Sequence, residues 1–382
     1  MIAELRREFN RRWTPELYRR FLDTIDRRSG THVKFRNSET PCFFERALLD
    51  KMARAGAEMV AQLLADRAYL EKADAAIPAR WRAPNEAPHP MFIQADFGLD
   101  ERLEPKLVEI QGFPSLYAFQ PMLGDAYCEV FGLEGLEHQL HPKYWEVMQQ
   151  AIRGGHDPAE VVLLEIDPEE QKTLPDFRLT EKFFGVRTVN LRDVEQRGNR
   201  LYHDGAPIRR IYNRTIFDEL ERKGVAPPFD LQAGLDVEWA GHPNWYFKLS
   251  KFSIPFLRHE AAPKTWFLAE MGELPADLEN YVLKPLYSFA GLGVVVGPTA
   301  EQVRGVDRTN YILQERIRFR PVIDTPHGMT QAEVRIMYVW LDAAPGPEAM
   351  TTIVRTGRGK MMGVDHNRDM EWVGATAGLF PA

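Results

Sequence analysis

Lys284 and the glycines that follow it are the residues of this chain most suited to chemistry. In Tyr281-Val-Leu-Lys-Pro-Leu-Tyr-Ser-Phe-Ala-Gly-Leu-Gly-Val-Val-Val-Gly297 a β-prone run ends at Lys284-Pro285. A loop of small residues follows, from Ser288 to Gly293, and a second β-prone run, Val294 to Val296, comes straight after. Two short strands joined by a glycine-rich loop can hold a polyphosphate. Gly291 and Gly293 let backbone N–H groups approach the oxygens without a Cβ in the way, and the lysine adds a point charge. The loop is neither a Walker loop nor a dinucleotide fingerprint, because both of those open a helix. The plain alternative is a hairpin with a glycine turn.

Two further segments bear on that choice. Tyr311-Ile-Leu-Gln-Glu-Arg-Ile317 is a short apolar strand that ends in the polar pair Gln314-Glu315. Glu333-Val-Arg-Ile-Met-Tyr-Val-Trp340 alternates polar and apolar residues and sets Glu333, Arg335 and Met337 on one face. A lysine-bearing strand, a glycine loop, a Gln-Glu strand and a Glu-x-Arg strand, in that order, resemble the ATP-grasp superfamily. The resemblance implies ATP held between two antiparallel sheets. Lys284 and the loop residues Ser288, Gly291 and Gly293 would cover its phosphates, and the segment Gln314, Glu315 to Ile317 would read the adenine. Arg335 would face the reacting phosphate.

The Glu-x-Asn metal motif that follows these strands in most of the superfamily is missing after Arg335. The tail Arg355-Thr-Gly-Arg-Gly-Lys-Met-Met-Gly-Val-Asp-His-Asn367 is polar and glycine-rich and lacks it. A counterpart lies much earlier, where Ala95 to Ser115 reads as strand, turn, strand. Glu109 and Gln111 share a face there, and hairpin pairing could bring Asp96 beside them. Two carboxylates and an amide oxygen make a hard oxygen set suited to Mg²⁺. This order, with the metal hairpin first and the lysine loop last, resembles the circularly permuted ATP-grasp branch, which includes glutathionylspermidine synthase-like amide ligases. The chain keeps Asp96, Glu109, Pro114 and Ser115 of that pattern. It departs from it at Gln94, where the branch has arginine, and at Gln111, where it has asparagine. Leu249-Ser-Lys251 supplies the position of a further phosphate lysine, with Lys248 as a rival.

The resemblance implies a carboxylate–amine ligase that uses ATP and Mg²⁺, with Arg335 and Glu109 as catalytic residues and a small carboxylate and an amine as substrates. The departures at Gln94 and Gln111 motivate an alternative, an ATP-binding regulatory protein on the same scaffold with little ligase activity. A small-molecule kinase is the third reading.

These residues must be positioned by a chain of 382 residues, long enough for two or three lobes. The expected fold is mixed α/β (α+β) in four parts. These are a helical segment at 1–80, the metal hairpin with helices at 81–154, a small α/β lobe at 155–245 and the nucleotide lobe at 246–382. Phe44 to Tyr69 reads as helix, with Leu48, Leu49, Met52, Met59, Val60, Leu63 and Leu64 on one broad face. Thr14-Pro15 reads as an N-cap followed by proline at the first helical position, and the proline-rich stretch from Ile77 to Pro90 as a linker. Pro114 to Gln150 returns to helix. In the small lobe Val161–Glu165, Thr188–Leu191 and Arg209–Tyr212 read as strands and Thr180–Phe184 as helix.

Composition bounds the partners. The hydrophobic fraction of 44% and charged fraction of 27% are those of an ordinary globular protein. A formal net charge of −7 argues against general nucleic-acid binding, although a local basic site is compatible with it. No run reaches the ~20 apolar residues of a membrane helix, and the first residues lack the apolar core of a signal peptide. Cys42 and Cys128 make no disulfide framework and fit a cytoplasmic protein with reduced thiols. The histidines show no metal-ligand spacing. The arginines Arg209, Arg210 and Arg214 read either as a solvated strand flank or as an anion contact across a lobe interface.

Overall fold

The computed structural model describes residues 1–288, 291–367 and 369–382, with the backbone alone for Asp218 and Asp365. Strand Gly328–Val339 organises its largest sheet. Glu348–Gly357 flanks it on one side and Phe92–Leu99 on the other, with Gly374–Thr376 and Pro105–Gln111 beyond them. Every pairing among these strands is antiparallel. Arg335 lies opposite Asp96, Asp96 opposite Glu109, and Gln94 opposite Gln111. The sheet thus joins a hairpin near residue 100 to strands past residue 328.

Side chains alternate across this sheet with the period of two that a strand imposes. Ile93, Ala95, Phe97, Val334, Ile336 and Tyr338 are buried against Leu49, Met52, Met59, Val60 and Leu63 of helix Arg46–Ala65. Burying each large apolar side chain contributes ~1.5–3 kcal/mol, so the helix face fixes the sheet's register. At Gly56 the contact is so close that a Cβ would overlap the Tyr338 hydroxyl. The opposite face of the same strands carries Gln94, Asp96, Glu333 and Arg335.

The helices follow the expected reading in outline. Thr14 caps helix Pro15–Ser29, its hydroxyl accepting from Leu17 N at 3.3 Å. The helix expected over 44–69 is two helices, Arg46–Ala65 and Arg67–Ala76, because the Asp66 carboxylate accepts from the N–H groups of Ala68 and Tyr69 and starts a new helix. Helices Phe119–Phe131 and Tyr144–Arg153 occupy the next helical stretch. The proline-rich stretch expected as a linker is packed: Ile77, Trp81 and Ala83 are buried in the core of the small lobe.

Two smaller sheets complete the frame. Thr265–Phe267, Tyr311–Glu315, Tyr281–Pro285 and Val295–Val296 form an antiparallel sheet in that order. Val282 pairs with Val296 and Leu283 with Val295, so the glycine segment does connect two antiparallel strands. Gly291 and Gly293 have φ of 74° and 75°, left-handed values that favour glycine. Phe289 and Ala290, in the middle of the expected loop, lie outside the described residues. The lobe at 155–245 contains a parallel sheet ordered Glu238–Ala240, Arg210–Asn213, Val161–Glu165, Arg187–Asn190. Helices Tyr144–Arg153 and Leu174–Phe184 cover one of its faces. Cys42 and Cys128 are free. Among the described residues no helix is long and apolar enough to cross a membrane.

Candidate functional site

A cleft of about 600 Å³ opens between the polar face of the large sheet and the sheet that carries Lys284. Asp96, Glu109, Gln111, Lys251, Lys284, Gly291, Gln314, Glu315, Ile317 and Arg335 all line it. These residues come from both ends of the chain, and the fold gathers them on two facing sheets. Ser288 and Gly293 do not line the cleft. The Ser288 carbonyl accepts from Lys251 Nζ at 2.8 Å, and the residue lines a small adjacent cavity. Gly293 packs against the Pro285 ring, where a Cβ would approach to 3.0 Å. It therefore shapes the turn behind the cleft.

The two lysines are placed differently from ordinary surface lysines. Lys284 is 5% exposed, and its ammonium donates to the Val108 carbonyl at 2.7 Å. Burial lowers its pKa to about 8, Glu109 opposing the shift. Lys251 is also buried and lies 3.1 Å from a Glu109 oxygen. Lys248 does not line the cleft and pairs instead with Asp74 at 2.8 Å and Glu86 at 2.5 Å.

Behind the lysines sits a buried charge network. Arg335 grips Asp96 with two donors, Nε on one oxygen and Nη2 on the other at 2.7 Å. Arg355 reaches the same Asp96 and also Glu333. Burial works against the Asp96 carboxylate, but the two guanidiniums outweigh it and hold its pKa below the ordinary value. Burial raises that of Glu333, with Arg355 opposing. Burial works against Arg355 too, yet Glu333 and Asp96 push its pKa up overall. Gln94 completes the network. Its amide oxygen accepts from Arg335 Nη1 at 2.8 Å and from Gln111 Nε2 at 2.7 Å, while its own NH₂ donates to the Ser115 carbonyl at 2.9 Å. Gln94 thus orients Arg335.

Arg355 was not legible as a site residue, because its segment reads as a polar, glycine-rich tail. It sits on strand Glu348–Gly357, where Ile353 and Arg355 share the cleft-facing side. Their i,i+2 spacing is the signal that could have revealed them. Arg358 and Lys360 line the cleft from the segment beyond. That segment is held by Asn367, which accepts from Arg358 N and Gly359 N and donates to the carbonyls of Met361 and Gly363. Thr173, from the small lobe, lines the cleft as well.

The cleft concentrates positive charge in an acidic chain. Nine lysines and arginines line it against four carboxylates, which suits a ligand carrying several negative charges. An apolar part accompanies the charge: Val108, Val282, Val296, Ile317, Ile353 and Met361 line the same space. Next to it the Gln314 amide nitrogen is buried without a hydrogen-bond partner among the described residues, an orphan donor that a heterocyclic acceptor would satisfy. A nucleotide fits this combination.

The donor set for magnesium is narrower than expected. Asp96, one of the three expected ligands, has both oxygens taken by guanidiniums. Among the described residues Glu109 pairs with the Lys251 ammonium alone. Among the described residues, no group of three or more His, Cys, Asp or Glu side chains could hold a metal ion. Mg²⁺ bound with phosphates needs only one or two protein carboxylates, so Glu109 with the Gln111 amide oxygen is the part of the set that fits. No protein-family model matches the chain, and no curated protein matches it in sequence.

Proposed function

We propose that this protein is an ATP-dependent carboxylate–amine ligase. The observation that carries the reading is the convergence of Lys251, Lys284, Arg335 and Arg355 on one cleft with Glu109 and the buried, unpartnered Gln314 amide. ATP, when bound, supplies the phosphoryl group that activates a substrate carboxylate as an acyl phosphate, which an amine then displaces. The chain's own task is charge neutralisation and alignment. Lys251 and Lys284 neutralise phosphate oxygens, and both are held by backbone carbonyls, so little reorganisation is needed on binding. Arg335, fixed by Asp96 and Gln94, offers a preorganised positive charge where negative charge develops. The Gln314–Ile317 segment reads the base. Glu109 and Gln111 would hold the magnesium that accompanies the phosphates.

The test is product analysis of the purified chain with ATP, Mg²⁺ and panels of small carboxylates and amines. ADP release that requires one carboxylate and one amine together, with an amide among the products, is the expected result. ADP release with a phosphorylated product and no amine requirement would make the protein a kinase. Tight ATP binding without turnover under every pairing would make it a nucleotide-binding regulator.

A further inference from the structure

The arginines of Arg209-Arg-Ile-Tyr-Asn-Arg214 part company in the fold. Arg209 is partly exposed and pairs with Asp236 at 2.9 Å. Arg210 is buried and fully engaged, with Glu238 at 2.7 Å and the carbonyls of Ile152 and Ala151 at 3.0 and 2.8 Å. Arg214 is 2% exposed, and its Nε and Nη1 are buried with no hydrogen-bond partner among the described residues. The hydroxyl of Tyr212, two residues earlier and so on the same side of the strand, is likewise buried and unpartnered.

Among the described residues no carboxylate forms a direct pair with this cation, although Asp176 and Glu165 lie close enough for its charge to act on both. Its guanidinium carbon lies 5.4 Å from the ring centres of both Phe113 and Phe177. Asp176 is near, but its oxygens accept from the N–H groups of Leu116, Ala118 and Phe119 at 2.9–3.1 Å. Glu165 accepts from Ile166 N at 2.8 Å, and burial pushes its carboxyl up to about 8, with Arg214 opposing. Near neutral pH Glu165 is therefore mostly uncharged. An arginine cannot escape burial by losing its proton, and a dry, unpaired charge costs folding free energy. The fold keeps it at the C-terminal edge of a parallel sheet, the edge where open α/β sheets bind ligands. Leu116 and Thr173, beside this edge, also line the nucleotide cleft.

We propose that this edge is an oxyanion subsite, in which the Arg214 guanidinium and the Tyr212 hydroxyl hold a carboxylate of the substrate at the end remote from the phosphates. Calling that carboxylate the substrate's own rests on the ligase reading; the anion site itself does not. The test is thermal unfolding of the full chain without nucleotide, at ionic strength matched with chloride, with acetate, succinate or inorganic phosphate added. Wild type is compared with Arg214→Met and Arg214→Lys. Without these anions Arg214→Met is expected to melt close to the wild-type temperature, since the guanidinium it removes has no direct partner among the described residues. Saturating succinate or acetate should raise the wild-type melting temperature by about 2 °C, raise Arg214→Lys less and leave Arg214→Met unmoved. Stabilisation by phosphate alone would overturn the carboxylate assignment. Failure of Arg214→Met to fold, a melt well below wild type without added anion, or equal shifts in wild type and Arg214→Met would overturn the subsite. Calorimetry with a non-hydrolysable ATP analogue separates the two readings. Loss of nucleotide binding in wild type would sink the ligase while leaving an anion-dependent melt intact.

Discussion

Arg335 and Arg214 are both buried arginines at the ends or faces of sheets, and they live under opposite conditions. Arg335 belongs to a closed network in which two guanidiniums face two carboxylates and every charge has a partner. Arg214 has aromatic rings on its flanks and no hydrogen bond among the described residues. The difference separates a charge that the fold compensates and fixes in place, ready to act on a ligand, from one it leaves without a direct partner. The first is compensated from inside. The second is left for an outside group to complete. Lys284 falls between them, with one carbonyl as its partner and a pKa lowered by burial.

Breaking the closed network should have the largest effect. Asp96→Asn keeps the shape and removes the charge that both Arg335 and Arg355 share. Removing one partner from a buried ion pair costs ~3–5 kcal/mol, and urea unfolding of wild type and mutant measures it. A loss below about 1 kcal/mol would mean that Arg335 and Arg355 are no better compensated than Arg214, and the contrast between the two regions would collapse.

The contrast also explains what the sequence could and could not reveal. Period-two alternation put Glu333 with Arg335, and Glu109 with Gln111, on common faces, because a strand enforces that period locally. It could suggest Asp96 beside Glu109, since a hairpin joins them. It could not pair Arg335 with Asp96, which is 239 residues away, because long-range register leaves no local trace. Arg355 was hidden for a related reason: Thr351, Thr352 and Thr356 on its strand blunt the alternation. Arg214 was visible only as one of three arginines, and burial alone separates it from Arg209. The proline-rich stretch was misread as a linker because composition marks the absence of helix and says nothing of the packing of Trp81. The break at Asp66 turns on one carboxylate that caps a helix where a helix interior was expected.

Glu109 tests the other side of the network, where the carboxylate is only partly compensated. Glu109→Gln should cut Mg²⁺-dependent ADP release by ~100-fold or more, about 2.7 kcal/mol of barrier. Lys251 retains the Ser288 carbonyl, so the loss of stability should be well below that of Asp96→Asn. Normal turnover in this mutant would remove Glu109 from the chemistry and leave it a salt-bridge partner of Lys251.

Lys284→Ala comes next. It removes a cation whose one hydrogen bond among the described residues goes to the Val108 carbonyl. ATP affinity should fall by at least ~1.5 kcal/mol, the lower end for a hydrogen bond to a charged group. Isothermal calorimetry on both proteins measures the difference. Unchanged affinity would place the phosphates elsewhere in the cleft.

The smallest effect is a proton, and it sharpens the comparison most, because a lysine can give up its charge where an arginine cannot. With a pKa of about 8 in the free protein, Lys284 is charged at pH 6.5 and mostly neutral at pH 9. Phosphate oxygens favour the charged form, so binding should restore an ordinary pKa. Proton uptake on binding an ATP analogue is then near zero at pH 6.5 and approaches one at pH 9, and affinity should fall about tenfold between those two pH values, most of it above pH 8. Folding shows the opposite trend. Between about pH 8 and the ordinary lysine value near 10.4 the unfolded chain binds more protons. The stability cost of burying Lys284 is therefore fully present below pH 8 and fades as pH rises. Calorimetric enthalpies in buffers of different ionisation heat report the uptake directly, with Lys284→Met as the reference. Equal uptake in wild type and Lys284→Met at pH 9 would show that another group takes the proton, and that the Lys284 ammonium does not meet the phosphates.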